Sequence, residues 1–287
     1  MTKHNRSFYI ISLIIGVILL YNLIGLFVFV GSHRFDIMLN LHILRSILVP
    51  IAGLLGIGIF LSTRFRNTTL LEVFMCYNVF LFPFILLKLK ASYDRASSHG
   101  TDLFRQWHFS FGILVSMLLI TTCCIGLWKL SRRRQPTLAY VTIGDESFAE
   151  FSPAPAHLRF FNRLADVMII YTVLYFDIKD NYFFRDTFRN SGSGMLIIIE
   201  FIASFYYYIV LEGIFNCSIG KYLTGTMIVD ENGRKPSFAK ILGRTLCRYI
   251  PFEAFSFFGK NPRGWHDSMS GTFVVKVDNT PELQGQS

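Results

Sequence analysis

Residues 8–30 read FYIISLIIGVILLYNLIGLFVFV, an apolar run broken only by Ser12 and Asn22 and free of charge. A helix needs roughly 20 mostly apolar residues to cross the hydrocarbon core of a bilayer, so this run is long enough to span. It is longer than the core of a secretory signal and has no small-x-small cleavage pattern before Gly31, so it is expected to remain as a signal anchor.

The rest of the chain matches that opening. Of 287 residues, 52% are hydrophobic and 16% charged, with 30 Phe and 13 Tyr, more apolar surface than a soluble core of this size requires. The expected fold class is an all-α polytopic membrane protein with about six transmembrane helices, near 8–30, 43–62, 69–88, 108–129, 160–178 and 194–217. The stretch 246–258 contains Arg248, Pro251 and Glu253 and is short, so it reads as an interfacial or re-entrant helix.

Cytoplasmic loops retain Lys and Arg. With the N-terminus inside, most of the 28 basic residues fall on the inner side: Lys3, Arg6, Arg64, Arg66, Lys129, Arg132 to Arg134, Arg159, Arg163, and the series from Lys221 to Lys276. The expectation is a bacterial inner-membrane protein with both termini cytoplasmic. Its net charge of +9 then faces the anionic headgroups of the bilayer, which are the expected partner. No soluble basic domain or recognition motif calls for nucleic acid.

Four parts follow from composition: a four-helix bundle at 1–130, a polar linker at 131–156, a second domain at 157–277 and a tail at 278–287. The linker reading rests on Arg132 to Arg134, Gly144-Asp145-Glu146-Ser147 and Pro153-Ala154-Pro155. In the bundle, Gly16, Gly25, Gly53, Gly56 and Gly58 suit close helix packing. Glu72 is expected to pair with Arg64 or Arg66 or to reach the interface, and Asn78 and Pro83 to make its helix polar and kinked. No cofactor is expected. The five cysteines lack CxxC spacing, which leaves no zinc motif. His33, His42, His99 and His108 gather on the outer side, a minor alternative for haem or metal binding.

The second domain carries the chemistry-bearing residues. In Arg159-Phe-Phe-Asn162-Arg163-Leu-Ala165-Asp166 the polar positions share one helical face, with Arg163 one turn from Asp166 and able to pair with it. An ionised group inside a span is costly unless paired or wetted, so Asp166 is a functional candidate. Glu200, Ser204 and Glu212 mark polar positions along the last span, suiting either a cation path or a hydrogen-bonded seam. Downstream, Val229-Asp230-Glu-Asn-Gly233 reads as a strand ending in a turn, 226–229 and 273–277 as a strand pair, and Ser237 as the cap of a helix over 237–249.

Taken together these residues resemble the RDD family of bacterial membrane proteins, named for one arginine and two aspartates. The resemblance covers about 157–275. It places the name-giving residues at Arg159, Asp166 and Asp267, a Gly-Lys turn at Gly220 and Lys221, a hairpin at Asp230 and Gly233, helix arginines at Arg244 and Arg248, and a His-Asp pair at His266 and Asp267. It implies roles in transport and, for some members, sodium and proton exchange.

No catalytic residue is assigned. The glycines before Lys221 are too widely spaced for a phosphate-binding loop, and Tyr222 stands where Ser or Thr is needed. Glu200 and Glu212 are separated by roughly 18 Å along one helix, too far for an acid-base pair. Two readings remain: a scaffold, assembly or accessory subunit with a membrane-protein partner or a second copy of itself, in which Asp267 accepts from Arg159 or Arg244; and a transporter in which a cation and a proton compete for Asp166.

Overall fold

The computed structural model describes residues 3–32, 41–64, 67–98, 103–137, 139–143, 146–150, 153–179, 194–250 and 264–278. Long apolar segments became helices, as their lengths require: α1 (Lys3–Ser32), α2 (Leu41–Ser62), α3 (Thr69–Ser98), α4 (Leu103–Ser131), α5 (Ala156–Lys179) and α6 (Gly194–Phe215). Five are long and apolar enough to cross a membrane, containing the windows Arg6–Phe27, Arg45–Ser62, Thr69–Leu87, Phe111–Ser131 and Gly194–Phe215. The expected span at 160–178 does not join them. Its helix, α5, is long, but Arg159, Arg163, Asp166, Asp177 and Lys179 interrupt its apolar character.

Three short helices and two strands follow in chain order, α7 (Ile219–Thr224), β4 (Thr226–Asp230), α8 (Phe238–Cys247), α9 (Trp265–Ser270) and β5 (Thr272–Asp278), with β1 (Gln135–Pro136), β2 (Ala139–Ile143) and β3 (Glu146–Glu150) before α5. The expected pairing of 226–229 with 273–277 is present: β4 and β5 run antiparallel, with Thr226 opposite Lys276 and Val229 opposite Phe273. Ser237 caps α8, its side chain accepting from the Lys240 amide. The proposed interfacial helix at 246–258 lies mostly outside the described residues; its first two residues end α8.

The stretch 131–156 is not the plain linker its composition suggests. β2 pairs with β3, and β1 joins the edge of β5 to give the sheet order β1-β5-β4. The Ala154 amide donates to the Val274 carbonyl at 2.7 Å. Polar composition does not prevent strand formation when a neighbouring edge offers unpaired backbone groups.

The chain divides into two compact units, residues 1–127 with 175–190, and 128–174 with 191–287. In the first, Ile15, Leu19, Phe60, Met75 and Phe80 form the buried centre. A Cβ on Gly53 would strike Leu19 and Phe74, and one on Gly56 would press on the backbone at Leu70 and Leu71, so these small residues set how closely α1, α2 and α3 pack. Glu72 is buried. Asn78 satisfies its amide within α3, donating to Phe74 O at 2.8 Å.

Candidate functional site

The second unit is organised by buried charge. Arg159, Lys221, Arg244 and Arg248 are all buried, as are Asp166, Glu212 and Asp267. Buried ions persist only where partners and hydrogen bonds replace water, so the arrangement of these seven decides what the unit can do.

Asp166 comes first because the sequence marks it most strongly. Its Oδ1 accepts from the Tyr207 hydroxyl at 2.6 Å and from the Gly220 amide at 2.7 Å. The Tyr207 oxygen in turn accepts from the Ile219 amide at 3.0 Å. One carboxylate on α5 and one phenol on α6 therefore satisfy the first backbone donors of α7, which no helical carbonyl can reach. This corrects the expected partnership: Asp166 does not pair with Arg163. The Arg163 guanidinium instead donates from Nη1 to Tyr208 OH at 3.1 Å. Register explains the difference, because positions 159, 162 and 166 point into the unit while Arg163 is only half-buried.

Gly220 is required where it stands. A Cβ there would collide with the backbone of Asn162, so α7 crosses α5 at van der Waals distance. With its amide turned so that the nitrogen faces the Leu158 and Gly220 carbonyls, Asn162 donates to both, and its oxygen accepts from Thr226 Oγ1 at 3.0 Å. The Gly-Lys turn is thus a docking point between helices.

Lys221 faces the other way and meets Glu212, which is fully buried near the end of α6. Glu212 Oε1 accepts from Lys221 Nζ at 2.8 Å and from Arg248 Nη2 at 2.6 Å, while Oε2 lies 3.3 Å from Arg244 Nε. Burial pulls the Lys221 ammonium below its ordinary value against the opposing pull of Glu212. Burial would lower Arg248 too, but the Glu212 carboxylate outweighs it and holds the guanidinium above its ordinary range.

Arg244 links this cluster to Asp267. Its Nη1 forms an ion pair with Asp267 Oδ1 and donates to Thr272 Oγ1 at 2.9 Å. Arg159 Nη1 lies 3.7 Å from Asp267 Oδ2. Arg159 and Arg244, expected as alternative partners of Asp267, both lie in ion-pair contact with it. His266 Nε2 is 3.6 Å from Asp267 Oδ1, yet burial first, and then the positive field of Arg244 and Arg248, holds its imidazole well below the usual value near 6.5. The ring is neutral and acts as packing and dipole rather than as a cation.

The remaining candidates separate. Asp230 and Gly233 build the turn after β4: Asp230 Oδ1 accepts from the Asn232 and Arg234 amides at 2.9 and 2.8 Å, and Gly233 takes φ of 71°. Glu200, Ser204 and Glu212 do not form one polar path. Glu200 Oε1 accepts from Tyr171 OH on α5, Ser204 shares a 2.6 Å hydrogen bond with Tyr249, and Glu212 belongs to the cation cluster. The first joins α5 to α6, and the second joins α6 to the turn after α8. Among the described residues, no three His, Cys, Asp or Glu side chains are grouped to hold a metal ion. His33, His42, His99 and His108 lie outside the residues whose side chains are described.

The geometry joins Arg159, Asp166, Gly220, Lys221, Arg244, Arg248, His266 and Asp267 in one assembly. Residues 153–271 match the model of the RDD family. The RDD match starts and ends four residues before the stretch that the motifs delimit, and helices α1 to α4 lie outside it. No curated protein and no solved structure matches the chain. Within the RDD region, sequence reasoning set Tyr207 or Tyr208 in the polar stripe with Glu200 and Ser204 but did not link them to Asp166 or Arg163, and it missed Thr272. Tyr207 carried a readable signal, since it is the tyrosine on the same face of α6 as Ala203 and Leu211, the buried side.

Proposed function

We propose that the chain is a non-catalytic, membrane-embedded scaffold or accessory subunit of a bacterial inner-membrane complex, with both termini cytoplasmic. The observation that carries this reading is the engagement of Asp166. A coupling carboxylate must exchange a proton for a cation, which requires it to open to water. Here Asp166 holds the Tyr207 hydroxyl and the Gly220 amide, two groups that would be left buried and unsatisfied if it turned away. The void beside it is about 20 Å³, room for a single water. An ionically fixed region of this kind suits presentation of a fixed surface to a membrane-protein partner or a second copy of the chain.

Extraction in mild detergent, followed by sizing and quantitative mass spectrometry, tests the proposal. A stoichiometric partner or a defined homo-oligomer is the expected result. A lone monomer whose proteoliposomes show sodium-dependent proton flux, lost in Asp166→Asn, would overturn it in favour of transport.

A further inference from the structure

A cavity of about 150 Å³ lies between α5, α6 and the end of α8, large enough for a group the size of a benzene ring. Arg163 and Arg248 both line it, and both guanidiniums sit against Tyr208, with Arg248 3.7 Å and Arg163 5.6 Å from the ring centroid. Arg248 is buried, gives Nη2 to Glu212, and keeps a buried Nη1 with no hydrogen-bond partner among the described residues. A buried guanidinium N–H left over at a cavity lined by Arg248 itself needs an acceptor, and a charged one answers it best.

Among the described residues the carboxylate lining the cavity is that of Glu200, which accepts from Tyr171 and lies roughly 12 Å along α6 from Tyr208. The guanidinium end is therefore positive and the occupant there anionic. Planar guanidinium forks match tetrahedral phosphate oxygens, and basic clefts between membrane helices at the cytoplasmic side are sites for lipid headgroups. Leu164 and Met168 on α5 and Ile197 and Phe201 on α6, neighbours in sequence of the cavity-lining Arg163, Val167 and Glu200, are exposed apolar surface against which acyl chains can lie.

We infer that this cavity binds the phosphate group of an anionic phospholipid, with Arg163 and Arg248 as its ligands and the acyl chains laid along α5 and α6. The proposal goes beyond the scaffold reading and does not depend on it: a transporter could hold the same lipid.

The test is native mass spectrometry of the full-length protein in detergent, titrated with phosphatidylglycerol and with diacylglycerol carrying the same chains. Phosphatidylglycerol is expected to bind in preference. Arg163→Gln, outside the Glu212 cluster, should weaken it by about tenfold or more, as loss of a charge-assisted hydrogen bond implies. Ser204→Leu, which fills the cavity without removing a charge, should weaken it likewise, each variant first shown by thermal unfolding to keep its fold. Equal binding of diacylglycerol, or unchanged phosphatidylglycerol affinity in both folded variants, overturns the site. A competition arm separates the sources: millimolar inorganic phosphate that displaces the lipid supports a site for the free anion as well, and failure to displace it supports the lipid-borne group alone.

Discussion

The backbone amide of Gly220 donates to the carboxylate of Asp166 at 2.7 Å, so a short helix outside the spans hangs from an acid inside α5. Asp166→Ala would leave that amide and the Tyr207 hydroxyl buried without an acceptor. The expected loss of stability is about 1–3 kcal/mol per stranded group. Asp166→Asn, which keeps one acceptor, should lose less. Thermal unfolding of both variants in the same detergent checks the order.

Glu212 is the larger dependency. Glu212→Gln removes the shared counter-charge of Lys221, Arg244 and Arg248, and breaking a buried pair typically costs about 3–5 kcal/mol. Adding Lys221→Met should restore part of the loss, because one of the stranded cations is gone. A double-mutant cycle reads that coupling directly, and simple additivity would show that the two side chains do not act together.

Gly220 and Gly225 should respond differently to alanine. At Gly220 a methyl group meets the backbone of Asn162, which cannot move aside without separating α5 from α7, and overpacking of this kind costs about 1–3 kcal/mol. Gly225 has open space around it and a φ of 65°, so only its backbone preference is lost, about 1 kcal/mol. Comparison of the two unfolding midpoints tests whether close approach or conformation governs each glycine.

The pH dependence follows from His266. Its imidazole is neutral when folded, with a pKa below the value near 6.5 that it regains on unfolding. The unfolded state thus takes up a proton first, and the stability due to the neutral ring is complete above about pH 6.5 and falls as pH drops below it. Unfolding midpoints measured from about pH 8 down to about pH 5.5 should decline, and His266→Gln should flatten the part of that decline that begins near 6.5. An unchanged slope in the variant would assign the decline elsewhere.

Much of this arrangement was legible before the fold was known, and the limits have physical causes. Apolar length located α1 to α4 and α6, because a bilayer sets span length directly. Ser237 and Gly233 located a cap and a turn, because those backbone needs are local. Pairing among charges was harder. Arg163 stands one turn from Asp166, yet the shared face was set by burial of positions 159, 162 and 166, and half-buried Arg163 turned to Tyr208 instead. Glu212 was visible only as a polar residue in a span, since its three cations come from α7 (Lys221), α8 (Arg244) and the residue that caps the end of α8 (Arg248). The strands at 135–150 were hidden by polar composition, as β1 forms on an edge supplied by β5, far along the chain.

The contact between Arg159 and Asp267 also sets an order in time. A ribosome adding about 5–20 residues per second delivers the aspartate on the order of 5–20 s after the arginine. Through that interval the first arginine of α5 has no Asp267 to meet, so the N-terminal end of this helix takes up its final ion pair only once α9 has been made.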